Sequence, residues 1–126
     1  MSARAQHCDC LVIGAGPVGA LLASVLARSG RTVVLSERGA LEQKRSGRTD
    51  TRGYALSAGS VTVLQDLGYW DALAPFAAPI REVHVTRAGT LGSVVMDAHT
   101  QKVPALGQVV PAAVIDAVMA DALRDA

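Results

Sequence analysis

Three glycines and one acid carry the first chemistry in this chain. Gly14-Ala15-Gly16-Pro17-Val18-Gly19 fits the spacing G-x-G-x-x-G, and the acid Glu37 follows about 20 residues later. Glycine at the first position permits a tight turn. At the second it leaves no side chain between the backbone and an approaching pyrophosphate, and at the third it lets a helix sit close to a strand. A helix starting there presents free N–H groups and a positive dipole end to phosphate, and Ala15, Pro17 and Val18, which stand between the glycines, belong to the same cradle, Pro17 without an N–H of its own. A carboxylate at Glu37 accepts hydrogen bonds from a ribose diol and disfavours a 2′-phosphate, so NADP is not the expected ligand of this turn. The pattern is that of an adenine-dinucleotide site. It does not separate FAD from NAD, since both carry ADP, and the spacing alone also fits a strand–helix turn that binds nothing.

The elements needed to position these residues are present in order. Cys8 to Ile13 is apolar except for Asp9 and stops at glycine, which predicts a buried parallel strand. Pro17 to Arg28 has helical spacing, with Val18, Leu21, Leu22, Val25 and Leu26 on one apolar face and Gly30 ending it. Arg31 to Ser36 is a second strand centred on Val33, Val34 and Leu35. The unit is β-α-β, a crossover that is almost always right-handed. Gly39 to Thr51, with Lys44, Arg45 and Arg48 and no apolar periodicity, predicts a long mobile loop whose arginines are solvated.

Beyond it, Ser57 to Leu67 returns to helix, with Val61, Leu64 and Leu67 on one face and Gly68 at its end. A short helix or turn covers Tyr69 to Leu73, and Pro75 and Pro79 punctuate the exit. Ile80 to Arg87 alternates as a half-exposed strand, Val83 and Val85 against Glu82, His84 and Thr86. A turn over Ala88 to Gly92 joins it to Ser93 to Ala98 in an antiparallel hairpin. Gly107 to Val110 is a short strand. Ala112 to Leu123 is a helix with Val114, Ile115, Val118, Met119 and Leu123 apolar.

Composition narrows the function classes. Of the 126 residues, 50% are hydrophobic and 18% charged, which excludes a disordered tail. A net charge of +1 gives no basic surplus for phosphate neutralisation, so no nucleic-acid partner is expected. Two cysteines without a secretory signal exclude a disulfide scaffold. The apolar run from Cys10 to Leu22 contains three glycines and a proline and is not a membrane span. Cys8 and Cys10 are expected to pack on one face of the first strand. His84 and His99 have no ligand spacing, so no metal is expected. No Ser-His-Asp signature, H-E-x-x-H or Walker lysine supports a hydrolase or P-loop reading. Only two parallel strands are evident, and such sheets are larger and covered on both faces. The expectation is therefore that residues 1–126 are the N-terminal portion of a larger protein, with a partner chain completing it as the alternative.

The segment after the second strand carries a resemblance. Asp50-Thr51-Arg52-Gly53-Tyr54-Ala55-Leu56-Ser57 resembles the D-x-R-x-x-A-L-S segment of FAD-dependent hydroxylases of the ubiquinone-biosynthesis type, polyprenyl-methoxyphenol hydroxylases within the group A flavoprotein monooxygenases. The likeness continues through Leu64-Gln65-Asp66-Leu67-Gly68-Tyr69-Trp70, Pro79-Ile80-Arg81-Glu82-Val83-His84-Val85 and Ala105-Leu106-Gly107-Gln108-Val109-Val110. It implies an α/β, FAD/NAD(P)-binding Rossmann-like domain, begun by the β-α-β unit and carrying an antiparallel hairpin insertion, that is incomplete here, residues 1–126 being the N-terminal portion of an FAD-binding domain.

It also implies a cofactor, FAD, and NAD(P)H as electron donor. Gly14, Gly16, Gly19 and Glu37 would bind the ADP part, with Arg38 along the adenosine, Arg52 near the flavin and pyrophosphate, and Gln108 near the ribityl region. No catalytic side chain is implied, because the flavin carries the oxygen chemistry and the protein binds, orients and excludes water. The partners implied are O2 and a polyprenylated phenol. The location implied is cytoplasmic, with peripheral association at the inner membrane or with a ubiquinone-synthesis complex, since such a substrate is lipid-soluble. The family's later glycine-aspartate flavin motif and substrate domain are not in these residues, so the chain by itself is expected to be inactive. A group A hydroxylase of another aromatic, a non-catalytic dinucleotide-binding fragment and an NAD dehydrogenase remain as rivals.

Overall fold

The computed structural model of the protein describes residues 7–39 and 51–126. Positions 40–50 of the expected basic loop, with Lys44, Arg45, Arg48 and Asp50, lie outside the described residues. The chain divides into two units: Met1–Asp50 with Ala113–Ala126, and Thr51–Ala112.

The first unit holds strand β1 (Cys10–Ile13), helix α1 (Pro17–Arg28) and strand β2 (Val33–Ser36). The two strands pair in parallel, from Cys10 opposite Val33 to Ile13 opposite Ser36. Proline suits the first turn of α1, where its fixed φ is already helical and its missing N–H costs no hydrogen bond. The helix stops where Gly30 was expected to stop it, with the Ser29 N–H reaching back to the carbonyls of Val25 and Leu26.

Three expectations need correction here. The first strand is not a buried one: Val12 is buried, whereas Leu11 is 60% and Ile13 81% exposed. β1 begins at Cys10 and not at Cys8. Asp9 forms a bend instead, its carboxylate accepting the Thr32 N–H at 2.8 Å. Cys8 is consequently exposed and only Cys10 is half-buried in the strand, so the two cysteines do not pack together on one strand face. The buried face of α1 also differs. Ala20, Ala23 and Ser24 are buried, whereas Val18 is 80% and Leu22 49% exposed. The residues this helix buries are its small ones, in keeping with the close backbone approach at Gly19. The buried Ser24 hydroxyl donates to the Leu21 carbonyl at 2.9 Å, as a buried polar group must. The last helix of the chain (Ala112–Asp125) buries Ile115 and Met119 of its predicted apolar face, along with Ala120 and Ala122.

The second unit holds β3 (Gly53–Ser57), α2 (Ala58–Asp66), a short α3 (Trp70–Leu73), a single 3-10 turn (Ala74–Phe76), β4 (Ala78–Ile80), β5 (Glu82–Thr86), β6 (Ser93–Asp97) and β7 (Gly107–Pro111). The helix closing the chain is α4. β3, β7 and β4 form an antiparallel sheet with β7 in the middle. This sheet was not anticipated. Gly53–Ser57 is a strand and not merely a sequence motif, and Pro79 sits inside β4, opposite Gln108. Proline is tolerated there because β4 is an outer strand.

The expected hairpin is present as β5 and β6, a two-stranded sheet of its own. Val83 pairs with Met96 and Val85 with Val94, which puts four apolar side chains on one face. Ser57 caps α2, its hydroxyl accepting the Ser60 N–H at 3.1 Å. Leu64, Leu73 and Val110 form the buried centre of this unit.

Candidate functional site

The glycine turn is built onto the end of the parallel ladder. The Gly14 N–H donates to the Ser36 carbonyl at 2.8 Å, one step beyond the last paired residues. Gly14 then takes a positive φ of 96°, which turns the chain into α1 and which a residue with a Cβ adopts only under strain. Gly16 is the residue flanking the helix, and Ala20 donates to its carbonyl at 2.8 Å. No side chain caps this helix end, and its first turn carries no acid. Its first N–H groups and positive dipole end are therefore not countered by the helix's own side chains.

The glycines separate by cause. At Gly19 an added Cβ would stand 2.0 Å from the Gly14 carbonyl oxygen, so the fold itself requires glycine there. Gly14 is required by its φ. Gly16 is required by neither. Its backbone (φ −67°, ψ 177°) is open to any residue, and among the described residues no heavy atom other than its own and its chain neighbours' lies within 4 Å of where its Cβ would be. Folding accounts for two of the three glycines. The third keeps clear a space in front of a helix N-terminus, which fits the pyrophosphate of a dinucleotide such as FAD.

Glu37 directly follows β2, and its carboxylate reaches back into the turn. One oxygen accepts the Ala15 N–H at 2.7 Å and the other accepts the Arg38 N–H at 2.7 Å. The structure thus brings Gly14, Ala15, Gly16, Pro17, Val18, Gly19, Glu37 and Arg38 into one place. The bond between Ala15 and Glu37 spans 22 residues, and the spacing pattern gave no sign of it.

Arg52 and Gln108 belong to the second unit and are not adjacent there. Arg52 precedes β3, its carbonyl accepting the Ala112 N–H at 2.9 Å, while Gln108 pairs with Leu56 near the other end of the same ladder.

On the hairpin, His84 Nε2 bonds the Glu82 carboxylate. Asp97 accepts the backbone N–H and hydroxyl of Thr100 at 2.9 and 3.2 Å. The backbone N–H is the main reason its carboxyl lies below the usual aspartate range. Among the described residues no three His, Cys, Asp or Glu side chains are grouped to hold a metal ion. No described helix is long and apolar enough to cross a membrane.

The chain is similar to proteins of known name. The 3-demethoxyubiquinol 3-hydroxylase of Escherichia coli K12 is 33% identical over 121 residues, covering 94% of this chain and 31% of that protein. The ubiquinone hydroxylase UbiM of Neisseria meningitidis is 43% identical over 67 residues, 53% of this chain and 14% of that one. The chain therefore spans less than a third of the length of these relatives.

Among solved structures, PqsL of P. aeruginosa superimposes with a TM-score of 0.70 at 23% identity, over 95% of this chain and 31% of that one. p-Nitrophenol 4-monooxygenase PnpA from Pseudomonas putida gives 0.64 at 23%, over 91% and 28%. At such identities the likeness is one of fold, the mixed α/β arrangement of an FAD-binding Rossmann-like domain. The family model described as FAD binding domain matches residues 7–126. A match that starts before β1 and runs through both units to Ala126 takes in every described residue, and the chain belongs to the FAD-binding domain family.

Proposed function

We propose that this chain is the ADP-binding part of an FAD-dependent, NAD(P)H-using monooxygenase that hydroxylates a polyprenylated phenol in ubiquinone biosynthesis. The observation that carries the reading is Gly16, a glycine that neither backbone geometry nor packing against the described residues requires, at a helix end with no side-chain cap. Gly14, Ala15, Gly16, Pro17, Val18 and Gly19 would hold the pyrophosphate, and Glu37 with Arg38 the adenosine. Arg52 and Gln108 would serve the flavin end. The flavin, when bound, supplies the redox chemistry by which one atom of O2 enters the ring. These residues bind and orient it.

Relatives named for other substrates guide the choice of substrate. The hydroxylase of 3-(3-hydroxy-phenyl)propionate from Mycolicibacterium smegmatis aligns over only 72 residues, 56% of this chain. Of the ubiquinone-type relatives, one aligns over 94% of the chain and two over 53% and 65%. Three relatives carry ubiquinone or demethoxyubiquinol in their names, which favours a lipid-soluble phenol over a soluble one, with peripheral contact to the membrane that carries it.

Two measurements test the reading. Titration of the purified chain with FAD and with FMN should show a marked preference for FAD, because only FAD has the ADP half. Equal binding of both would overturn the assignment of the turn. Deleting the gene in its source cell should leave an under-hydroxylated prenyl phenol, and accumulation of a soluble phenol instead would overturn the substrate class.

A further inference from the structure

The Glu37 carboxylate makes a contact that a ribose-binding acid does not need. The parallel ladder ends at Ile13 opposite Ser36, and the Gly14 N–H still finds the Ser36 carbonyl. The next donor in line, the Ala15 N–H, is met by a side chain: Glu37 Oε2 at 2.7 Å. The second oxygen is tied to the Arg38 N–H at 2.7 Å, which fixes the carboxylate from behind. The side chain therefore extends the ladder one step past the strand, into the turn where the Cβ position of Gly16 meets no described residue beyond its chain neighbours.

From this geometry we infer that Glu37 is a positioning residue for the pyrophosphate turn, acting through the Ala15 N–H in the absence of any ribose. The inference rests on the reading of this turn as the ADP site. A carboxylate serves this role better than its amide. Both of its oxygens accept, and bonds to an ionised acceptor are about twice as strong as neutral ones. Glutamine presents one oxygen and one NH2 group, so one of the two backbone donors faces another donor. Aspartate keeps the charge but is one methylene shorter, and it loses reach to Ala15.

The test is a cycle between the side chain and the ribose hydroxyls. The 126-residue chain and its Glu37→Gln and Glu37→Asp variants are titrated calorimetrically with ADP and with 2′,3′-dideoxy-ADP. Circular dichroism confirms that each is folded. If Glu37 holds the turn, each variant loses about tenfold in affinity for 2′,3′-dideoxy-ADP and at least as much for ADP. If it acts only on the diol, the loss is confined to ADP and vanishes with the dideoxy compound, which overturns the inference and leaves the site reading intact.

Hydrogen exchange in the ligand-free protein is the second readout. The Ala15 amide should exchange about tenfold faster in both variants, and unchanged exchange would overturn the inference. Should the unsubstituted chain bind neither nucleotide, the site reading fails, and the Ala15 exchange rate still decides whether the clamp exists.

Discussion

Replacing Gly19 with alanine sets two effects of opposite sign against each other, and the geometry decides between them. Gly19 lies in the first turn of α1, where alanine should stabilise a helix by about 0.5–1 kcal/mol. The added Cβ, however, would stand 2.0 Å from the Gly14 carbonyl oxygen and 3.1 Å from its carbon. Carbon and carbonyl oxygen settle at about 3.3 Å, so α1 must retreat by roughly 1.3 Å. The obstacle is backbone and cannot rotate away, and Gly14 is held by its bond to Ser36. Retreat would also loosen the contact under Ala20, Ala23 and Ser24. Overpacking of this kind costs about 1–3 kcal/mol, and a backbone obstacle puts it at the upper end. The net expectation is a loss of about 2 kcal/mol. At roughly 4 °C per kcal/mol for a chain of this size, Tm falls by about 8 °C. Thermal unfolding followed by circular dichroism, without added nucleotide, measures it. A Gly19→Ala protein melting at or above the unsubstituted temperature would refute the close approach on which the account of α1 depends.

Three further outcomes follow from the same structure. Gly16→Ala should leave Tm within about 2 °C, since its Cβ meets no described atom, while FAD affinity measured by titration falls at least about tenfold, or about 1.4 kcal/mol. Equal losses in both variants would remove the distinction between the two glycines. Ser57→Ala removes the acceptor for the Ser60 N–H and should cost about 1 kcal/mol in urea unfolding.

The folded-state pKa of Asp97 is depressed, chiefly by the Thr100 N–H, so the stability it contributes is present above the ordinary aspartate range. That contribution is lost as pH falls through the depressed value. An NMR titration of the Asp97 carboxyl should show a midpoint below that of an unstructured peptide, with the Thr100 amide signal shifting at the same pH.

Local punctuation made α1 legible to the residue. Pro17 and the Ser29-Gly30 pair mark its ends without help from the rest of the chain. The hairpin was legible for the same reason, because β5 and β6 are joined by a turn of their own. What the sequence hid was non-local. β3 is a strand because Gly53 meets Pro111 and Ser57 meets Gly107, partners 58 and 50 residues away along the chain. The buried face of α1 was misjudged because periodicity ranks side chains by apolar character. Close approach at Gly19 instead selected for small ones, leaving Val18 and Leu22 outside. In the site, the glycines and Glu37 were found by spacing. The bond from Glu37 to Ala15 was not, since it depends on how far the carboxylate reaches beyond β2.

The proline within β4 has a bearing on the life of the protein in a crowded solution. β4 is three residues long, and among the described residues no strand lies along its outer edge. Open edges recruit strands from other molecules and seed aggregates. Pro79, the middle residue of this edge, has no N–H to offer, and its ring stiffens the backbone on either side. A chain arriving to lengthen the sheet would find the edge too short and one of its donors missing. Such an edge resists self-association while molecules of this protein are newly made and close together.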